Sequence, residues 1–255
     1  MKSIHRMAAL AWCALVLTGA AGGAVAAAPC QFEPIGEGRV AEITDARSFR
    51  LDDGREIRLV GIATEGTDKA TLKAMLSGQD VTLRAMDDTP DRYGRQAAFA
   101  FLGASEAPVQ ALLLAQGQAL VSTEIGEKDC AAALAAAEAE ARRAHKGIWN
   151  DSNVIKNAES SGDILAGIGR FTIVEGKVLS VRQAGATTYL NFGRNWTRDF
   201  AVTISRRALP AIEAAGIAPK SFENRRIRVR GWVEGRPGPR IDVQVAAQIE
   251  ILGDN

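Results

Sequence analysis

The sequence predicts a mainly β protein with helices, folded as two units. In both halves of the chain, short runs alternate apolar with polar residues, as expected for strands that bury one face. Between residues 150 and 169 the composition shifts to Asn, Ser, Gly and Asp, which is typical of a linker. A chain of 255 residues is long enough for each unit to bury a core. We therefore expect a first domain over 38–149, a linker over 150–169 and a second domain over 170–252.

The N-terminus has the features of an export signal. Basic residues precede an apolar run from Met7 to about Leu17, and Ala24-Val25-Ala26 follows as a small-x-small cleavage pattern. The run is shorter than the roughly 20 residues that cross a bilayer, which favours a cleaved signal peptide, 1–26, over a retained anchor. We expect a periplasmic or secreted protein with no membrane span after cleavage.

The cysteines point to the same compartment. Cleavage removes Cys13 and leaves Cys30 and Cys130 as an even pair in an oxidising environment, where thiols seldom stay free. We expect a disulfide between them, tying the mature N-terminus to the start of a helix and worth roughly 4 kcal/mol through loop closure. Two unrelated buried thiols are the alternative.

In the first unit the pattern predicts short strands followed by helices. Around "LDDGREIRLV", Asp53-Gly54 is a hairpin turn signal, and we expect two strands between Gly38 and Val60. Further elements are expected in this order: a helix over 67–76, strands at 81–83 and 97–102, and helices over 108–116 and 131–145. Gly117 suits the C-terminal cap of the second helix and Asp129 the N-terminal cap of the third.

The second unit has five β-rich runs. They are "FTIVEGKVLSV", "TYLNF", "DFAVTI", "RIRVRGWV" and "RIDVQV". A helical stretch, 206–215, lies between the third and the fourth run. Five strands with a helix at this point are typical of a small barrel of the oligonucleotide and oligosaccharide-binding (OB) type.

Charge is distributed unevenly between the halves. Residues 29–170 contain 16 Lys and Arg against 22 Asp and Glu, and residues 171–255 contain 13 against 8. The first half therefore repels a polyanion outside any local site, whereas the second half attracts one at low salt.

Four stretches of the first unit carry a family resemblance as an ordered set. They are "ITDARSFRLDDGREIRLVGIATEG", "DRYGRQAAFAFL", "VQALLLAQGQALV" and "ARRAHKGIW". With these stretches the unit resembles the staphylococcal nuclease-like (thermonuclease) domain over 38–149. The resemblance implies an OB-fold barrel with three helices and, in active members, calcium-assisted hydrolysis of DNA or RNA phosphodiesters.

The acids of the family's metal site are missing at the matching positions. The family pattern has Asp-Gly-Asp-Thr in the first strand and Gly-Ile-Asp-Thr-Pro-Glu further on. Here the two stretches are Asp45-Ala46-Arg47-Ser48 and Gly61-Ile62-Ala63-Thr64-Glu65-Gly66. By the resemblance, Arg47 and Ala63 replace metal ligands and Gly66 replaces the general base. We expect a degenerate site without metal or other cofactor, in a protein that is not an enzyme.

The family's phosphate-binding residues are retained. Arg58 and Arg95 stand at its two arginine positions, and Arg92-Tyr93 match a basic and aromatic pair beside the substrate phosphate. With Arg47 they predict a cationic site that favours an anion over calcium. The alternative is that the arginines belong to structural ion pairs with neighbouring acids, Asp45, Glu56 and Asp91.

A rebuilt catalytic site is a further alternative. If the family's Pro is deleted rather than replaced, Glu65 aligns with the base and Asp45 can serve as a ligand. The protein would then be a calcium-dependent phosphodiesterase of the thermonuclease type. A single carboxylate opposite an arginine is a poor calcium site, however.

A second candidate surface lies in the second unit. In "RIRVRGWV", Arg228 and Arg230 alternate with apolar residues, which predicts one basic face. "FGRNWTRDF" adds Arg194, Trp196 and Arg198, an aromatic residue between cations that suits stacking on a base or sugar. The alternative is that the tryptophans fill the barrel ends and the arginines are only solvated.

Taken together, the residues favour an exported, non-catalytic, nuclease-like binding protein. The expected partners are anionic ligands, such as single-stranded nucleic acid or nucleotide fragments, or an envelope protein. A calcium-dependent nuclease and a purely structural envelope protein are the alternatives.

Overall fold

The computed structural model describes residues 30–122, 125, 127–235 and 237–253. The predicted signal peptide, 1–26, lies outside these residues. No helix in the described part of the chain is long and apolar enough to cross a membrane.

The first unit is a closed five-stranded barrel with three helices. Its elements are β1 (Glu33–Asp45), β2 (Ser48–Leu51), β3 (Glu56–Leu59), β4 (Ile62–Ala63), α1 (Ala70–Leu76), β5 (Asp80–Ala85), β6 (Arg95–Leu102), α2 (Val109–Ala115), β7 (Leu120–Val121) and α3 (Lys128–Arg143). The barrel closes in the order β1-β2-β3-β6-β5, and β4 pairs separately with β7. The stretch 38–60 contributes to three strands rather than the predicted two, because a turn at Ala46-Arg47 separates β1 from β2. β1 itself begins earlier than expected, at Glu33.

Strand alternation explains the core of this barrel. In β2, Phe49 and Leu51 are buried while Arg50 between them is exposed, as the two-residue period of a strand requires. Ile57 and Leu59 of β3 are also fully buried. The side chains on the opposite face of these strands, among them Arg50 and Arg58, point away from this core.

The backbone segments that follow helices α2 and α3 contact each other. Gly117 has a φ of +66° and follows the Gln116 C-cap of α2, as predicted. A Cβ on Gly147 would lie 2.2 Å from the carbonyl oxygen of Gly117, so the two backbones touch. Gly147 also has a φ of +55°, a conformation that favours glycine.

The N-terminal cap of α3 differs from the prediction. The carboxylate of Glu127 accepts hydrogen bonds from the N–H groups of Asp129 and Cys130, so the helix begins one turn earlier than expected. Cys130 is bonded to Cys30, which confirms the predicted disulfide. Both sulfur-bearing residues are buried.

The second unit is a larger sheet. Its elements are β8 (Ile155–Asn157), α4 (Ser161–Leu165), β9 (Phe171–Lys177), β10 (Ser180–Ala184), β11 (Thr187–Asn191), β12 (Ala201–Ser205), α5 (Leu209–Ala214), β13 (Arg226–Glu234), β14 (Arg240–Val243) and β15 (Ile249–Ile251). The strand order is β10-β11-β12-β14-β13-β9-β8, with β15 also paired to β13.

The strand pairing of the second unit repeats that of the first. The run "FTIVEGKVLSV" is divided into β9 and β10 at Val178-Leu179. When β9 and β10 are counted as one bent strand, the order is closed by the β13–β9 pair. The parallel pair β12–β14 then corresponds to the parallel pair β3–β6. This order is compatible with the OB-like prediction for the second unit, which stays a prediction.

The segment 150–169 is structured, in contrast to the predicted linker. It contains β8, which pairs in parallel with β9, and α4, whose Ile164 is fully buried. The many turn-forming residues of this segment predicted a connector. Its few apolar residues nevertheless pack the segment against the sheet.

The two units pack together through an apolar cluster and an ion pair. Ala63, Leu120, Ala141 and Trp149 of the first unit cluster with Phe171 and Ile173 of the second. Beside them the guanidinium of Arg230 forms two hydrogen bonds with the carboxylate of Glu138, at 2.8 and 3.0 Å. The same guanidinium donates to the carbonyl of Val121, and the Val121 N–H donates to Glu138. The pair is therefore buried and held by four hydrogen bonds.

Candidate functional site

The stretch that matches the family's metal motif forms the β1–β2 turn. Asp45 and Ser48 face each other across it, and the Arg47 N–H donates to Asp45 Oδ1 at 2.8 Å. A short polar side chain that accepts from the backbone two residues on stabilises such a turn. Asp45 therefore serves the turn itself.

Arg47 is fixed by the second motif. Its Nη1 donates to the carbonyl oxygen of Ile62 at 2.7 Å, and its half-buried side chain thus lies beside the segment 61–66. Ala63 in that segment is 1% exposed and packs in the apolar cluster between the units. A permanent positive charge and a buried methyl group stand where the resemblance places two acids.

These residues do not fit calcium. Calcium takes about six to eight oxygen ligands, several of them carboxylates, and Arg47, Ala63 and Gly66 supply no side-chain oxygen. Among the described residues, no group of three Asp, Glu, His or Cys side chains is placed to hold a metal ion. The guanidinium of Arg47 also repels a cation.

Glu65, the alternative base, lies in a different environment. It lines a pocket between the units together with Leu120, Ile148 and Phe171. Its Oε2 is buried and has no hydrogen-bond partner among the residues that the structure describes. No described contact brings it to Asp45.

Arg95 is held by an acid on its own turn. Its Nε and Nη2 donate to Asp91 Oδ2 at 3.0 and 2.8 Å, and Asp91 Oδ1 accepts from the backbone N–H groups of Tyr93 and Arg95. The hydrogen bonds with the Arg95 side chain lower the pKa of Asp91 to about 2. Asp91 in turn raises the pKa of Arg95. The ion-pair alternative thus describes Arg95 correctly.

Tyr93 lies between two cations. The guanidinium carbons of Arg92 and Arg95 are 4.8 and 5.1 Å from its ring centroid, within the range of cation–π contact. The tyrosine is 66% exposed. The turn therefore presents an aromatic ring and the positive charge of Arg92 to solvent, while Arg95 is paired with Asp91.

Arg58 differs from Arg95. Strand register places it opposite Ser48 on β2 and Ala97 on β6, and Glu56, on the same side of β3, faces Arg95. Arg58 is half-buried, and it has no ion pair or side-chain hydrogen bond within the described residues. The buried hydroxyl of Ser48 beside it has no partner there either. Arg58 is thus a partly desolvated cation open to an anion.

The two arginines of β13 do not form the expected basic face. Arg228 forms ion pairs with Glu175 at 2.5 Å and Glu250 at 2.6 Å, and Arg230 pairs with Glu138. Their side chains are only 11% and 12% exposed. The alternation along β13 was predicted correctly, but the acids that neutralise the arginines come from other strands and from α3.

The loop 193–199 carries the other predicted residues of the second unit. Trp196 is 71% exposed, so it does not fill the barrel end. It lines a cleft of about 780 Å³ together with Arg194, Arg182 and Tyr189. Arg198 lies on the same loop, close to Asp199. Sequence reasoning missed Arg182 and Tyr189, which face each other on β10 and β11.

Comparison with known families supports the assignment of the first unit. Residues 65–151 match the family model described as staphylococcal nuclease homologue. This part of the chain, from Glu65 through α1, α2 and α3, is a staphylococcal nuclease-like region, and the predicted resemblance is confirmed there. The β1–β2 turn lies outside the matched residues. No curated protein matches the chain.

Proposed function

We propose that the protein is an exported, non-catalytic relative of the nucleases that binds anionic ligands, above all the phosphates of nucleic acid, at the first barrel. The observation that supports this most directly is the Arg47 guanidinium bonded to the Ile62 carbonyl. It supplies a fixed positive charge at the position where the family motif has a metal ligand. The leader sequence and the disulfide support export.

The remaining groups suit a phosphate. Guanidinium groups bind phosphate oxygens through charge-assisted hydrogen bonds, and Arg58 has no carboxylate partner among the described residues. Arg92 and Tyr93 add a cation and an exposed ring, which together suit a nucleotide backbone and its base. Hydrolysis would need an activated water, and the described residues offer no base at Gly66.

The test combines cleavage and binding. The purified protein without its leader is incubated with single-stranded and double-stranded DNA and RNA, with calcium and with chelator, beside an active control nuclease. We expect no cleavage and salt-sensitive retention of the strands. Calcium-dependent cleavage that disappears in Glu65→Gln would overturn the proposal.

Arg58→Ala tests the site itself. Loss of one guanidinium–phosphate contact is expected to weaken binding about tenfold and to flatten its salt dependence. Arg143→Ala is the matched control, because Arg143 is 73% exposed on the outside of α3. Equal binding by the two variants would remove Arg58 from the site.

A further inference from the structure

We propose that the second unit has a ligand site of its own, a cleft that takes a nucleotide unit by stacking on Trp196 and by pairing its phosphate with Arg182 and Arg194. This site does not depend on the function proposed for the first barrel. It differs from the basic face expected on β13, since those arginines are neutralised within the protein.

The floor of the cleft is built from rows of residues across adjacent strands. Arg182, Tyr189 and Thr203 are successive register partners on β10, β11 and β12. Ser180, Asn191, Ala201 and Arg240 form a second row. Both rows line the cleft, whose volume of about 780 Å³ lies within the range of small-ligand sites, about 300 to 1,000 Å³.

One wall is the loop 193–199, which is internally bonded. Asn195 Oδ1 accepts from the backbone N–H of Thr197 at 3.1 Å and from its hydroxyl at 2.7 Å. Asp199 Oδ2 accepts from the Asn195 N–H at 2.8 Å, and the Asn195 carbonyl accepts from the N–H groups of Arg198 and Asp199. The backbone on both sides of Trp196 is therefore fixed.

The second wall, Pro237-Gly238-Pro239, packs against the first. A Cβ on Gly238 would lie 3.1 Å from the carbonyl oxygen of Asp199. A Cβ on Gly193 would lie 2.1 Å from Asp199 Oδ2. The absence of a side chain at Gly238 lets the two walls meet, and its absence at Gly193 lets the loop close on Asp199, so the backbone that carries Trp196 is in place before any ligand arrives. Such preorganisation reduces the entropic cost of binding.

The exposure of Trp196 is explained by a stacking partner. A tryptophan that leaves 71% of its surface in water gives up hydrophobic stabilisation on folding. Tyr189 lies on the floor of the same cleft. A flat ring that enters beside these residues covers both, as bases do on the aromatic side chains of proteins that bind single strands.

The charges of the cleft specify an anion. Arg182 and Arg194 are exposed, and they have no ion pair or side-chain hydrogen bond within the described ranges. The third cation, Arg240, is paired with Glu234 at 2.7 Å. Two positive charges are thus left for a ligand.

The same chemistry argues against a neutral sugar. Proteins that bind glycans commonly offer carboxylates as acceptors for sugar hydroxyl groups, and the one carboxylate of the described lining, Asp199, already accepts from Asn195 and lies 3.5 Å from the Arg198 guanidinium. Guanidinium groups only donate, so they suit phosphate oxygens. A nucleotide, either free or as part of a single strand, joins a planar ring to a phosphate and is the ligand that we assign to the cleft.

The experiment follows tryptophan fluorescence and calorimetry on the purified protein without its leader. The probes are adenosine monophosphate, a hexamer of deoxythymidylate, ribose 5-phosphate and a neutral chitin disaccharide. We expect both nucleotide probes to bind and change the fluorescence, ribose 5-phosphate to bind at least tenfold more weakly than adenosine monophosphate, and the disaccharide not to bind. A hexamer that binds more tightly than the mononucleotide indicates a single strand as ligand, and equal binding indicates a free nucleotide.

Variants test the assigned residues. Trp196→Ala is expected to weaken nucleotide binding about tenfold or more, and Trp196→Phe is expected to retain part of it because a ring remains. Arg182→Gln and Arg194→Gln should each weaken binding, whereas Arg207→Gln, a change of an exposed arginine outside the cleft lining, should not. Unchanged binding in Trp196→Ala, or binding of the disaccharide alone, would overturn the proposal.

The first-barrel site is tested separately. Arg58→Ala should leave the fluorescence response to nucleotide at Trp196 unchanged. In a protein that already carries Trp196→Ala, adding Arg58→Ala should still weaken strand retention by the same factor. Failure at one site is therefore distinguishable from failure at the other.

Discussion

In both units the strands pair in the same order, and that order contains a parallel pair, β3–β6 in the first unit and β12–β14 in the second. The outward side chains differ. In the first barrel, Arg47 and Arg95 are bonded to groups of the protein itself and Arg58 is not, whereas in the cleft of the second unit both Arg182 and Arg194 lack such a partner among the described residues. The comparison teaches that strand order fixes where a surface lies and that long-range partners decide whether it is free to bind.

The largest expected difference between the two units is in stability, because the sequence has a disulfide pair in the first and no cysteine in the second. Replacing Cys30 and Cys130 by Ala should lower the free energy of unfolding of the first barrel by about 4 kcal/mol, since the bond closes a loop of about 100 residues. Amide hydrogen exchange resolved by residue measures this. A loss below about 1 kcal/mol would contradict the loop-closure argument.

The next prediction concerns the contribution of the ion pair between the two units to the free energy of unfolding. Glu138→Ala leaves the Arg230 guanidinium buried without its carboxylate, which is expected to cost about 3 kcal/mol, measured by urea unfolding. The control is Glu140→Ala on the same helix, whose 62% exposed side chain pairs only with Arg143 and should cost less than about 1 kcal/mol. Similar losses in the two variants would show that the barrels do not depend on this pair.

A third comparison concerns two glycines with nearly equal φ, one in each unit. Gly147 at +55° contacts the Gly117 backbone, while Gly185 at +60° in the β10–β11 hairpin has nothing within 4 Å of an added Cβ. Gly147→Ala should cost about 3 kcal/mol through strain and overlap, and Gly185→Ala about 1 kcal/mol through strain alone. Thermal unfolding of both variants measures the difference, and equal shifts would mean that the helix ends separate at little cost.

The smallest effect is a pH dependence confined to the first barrel. The pKa of Asp91 falls from 3.8 to about 2 in the folded protein, so its contribution to stability is complete above pH 3.8 and is lost as the pH falls through about 2. In Arg95→Gln the pKa should return towards 3.8, as followed by carboxyl NMR titration. An unchanged titration would assign the shift to the backbone N–H groups of the turn.

Local chemistry made much of the fold predictable. Asp53-Gly54 marked the β2–β3 hairpin, and the glycine after α2 marked the end of that helix. The start of β1 at Glu33 was missed because "EPIGEG" has no clear alternation and contains two glycines. Segment 150–169 was missed because its few apolar residues gain stability only against a sheet formed later in the chain.

The candidate sites were predictable in part. The replacement of metal ligands at positions 47 and 63 stays a prediction from motif order, and the bond from Arg47 to Ile62 could not be derived, since it depends on how two turns meet. Arg230 and Glu138 are 92 residues apart, and nothing local to β13 indicates that its arginines are neutralised. Arg182 and Tyr189 become one site only through the register of β10 and β11.

The apolar cluster between the units constrains how such a chain can evolve by recombination. A gene divided near residue 150 would encode one piece that exposes Leu120 and Trp149 and another that exposes Phe171 and Ile173, all of them buried in the intact protein. Exposed patches of this kind promote aggregation. Separation of the two units therefore exposes apolar surface on both, and a change that alters one face of the cluster is expected to require a compensating change in the other unit.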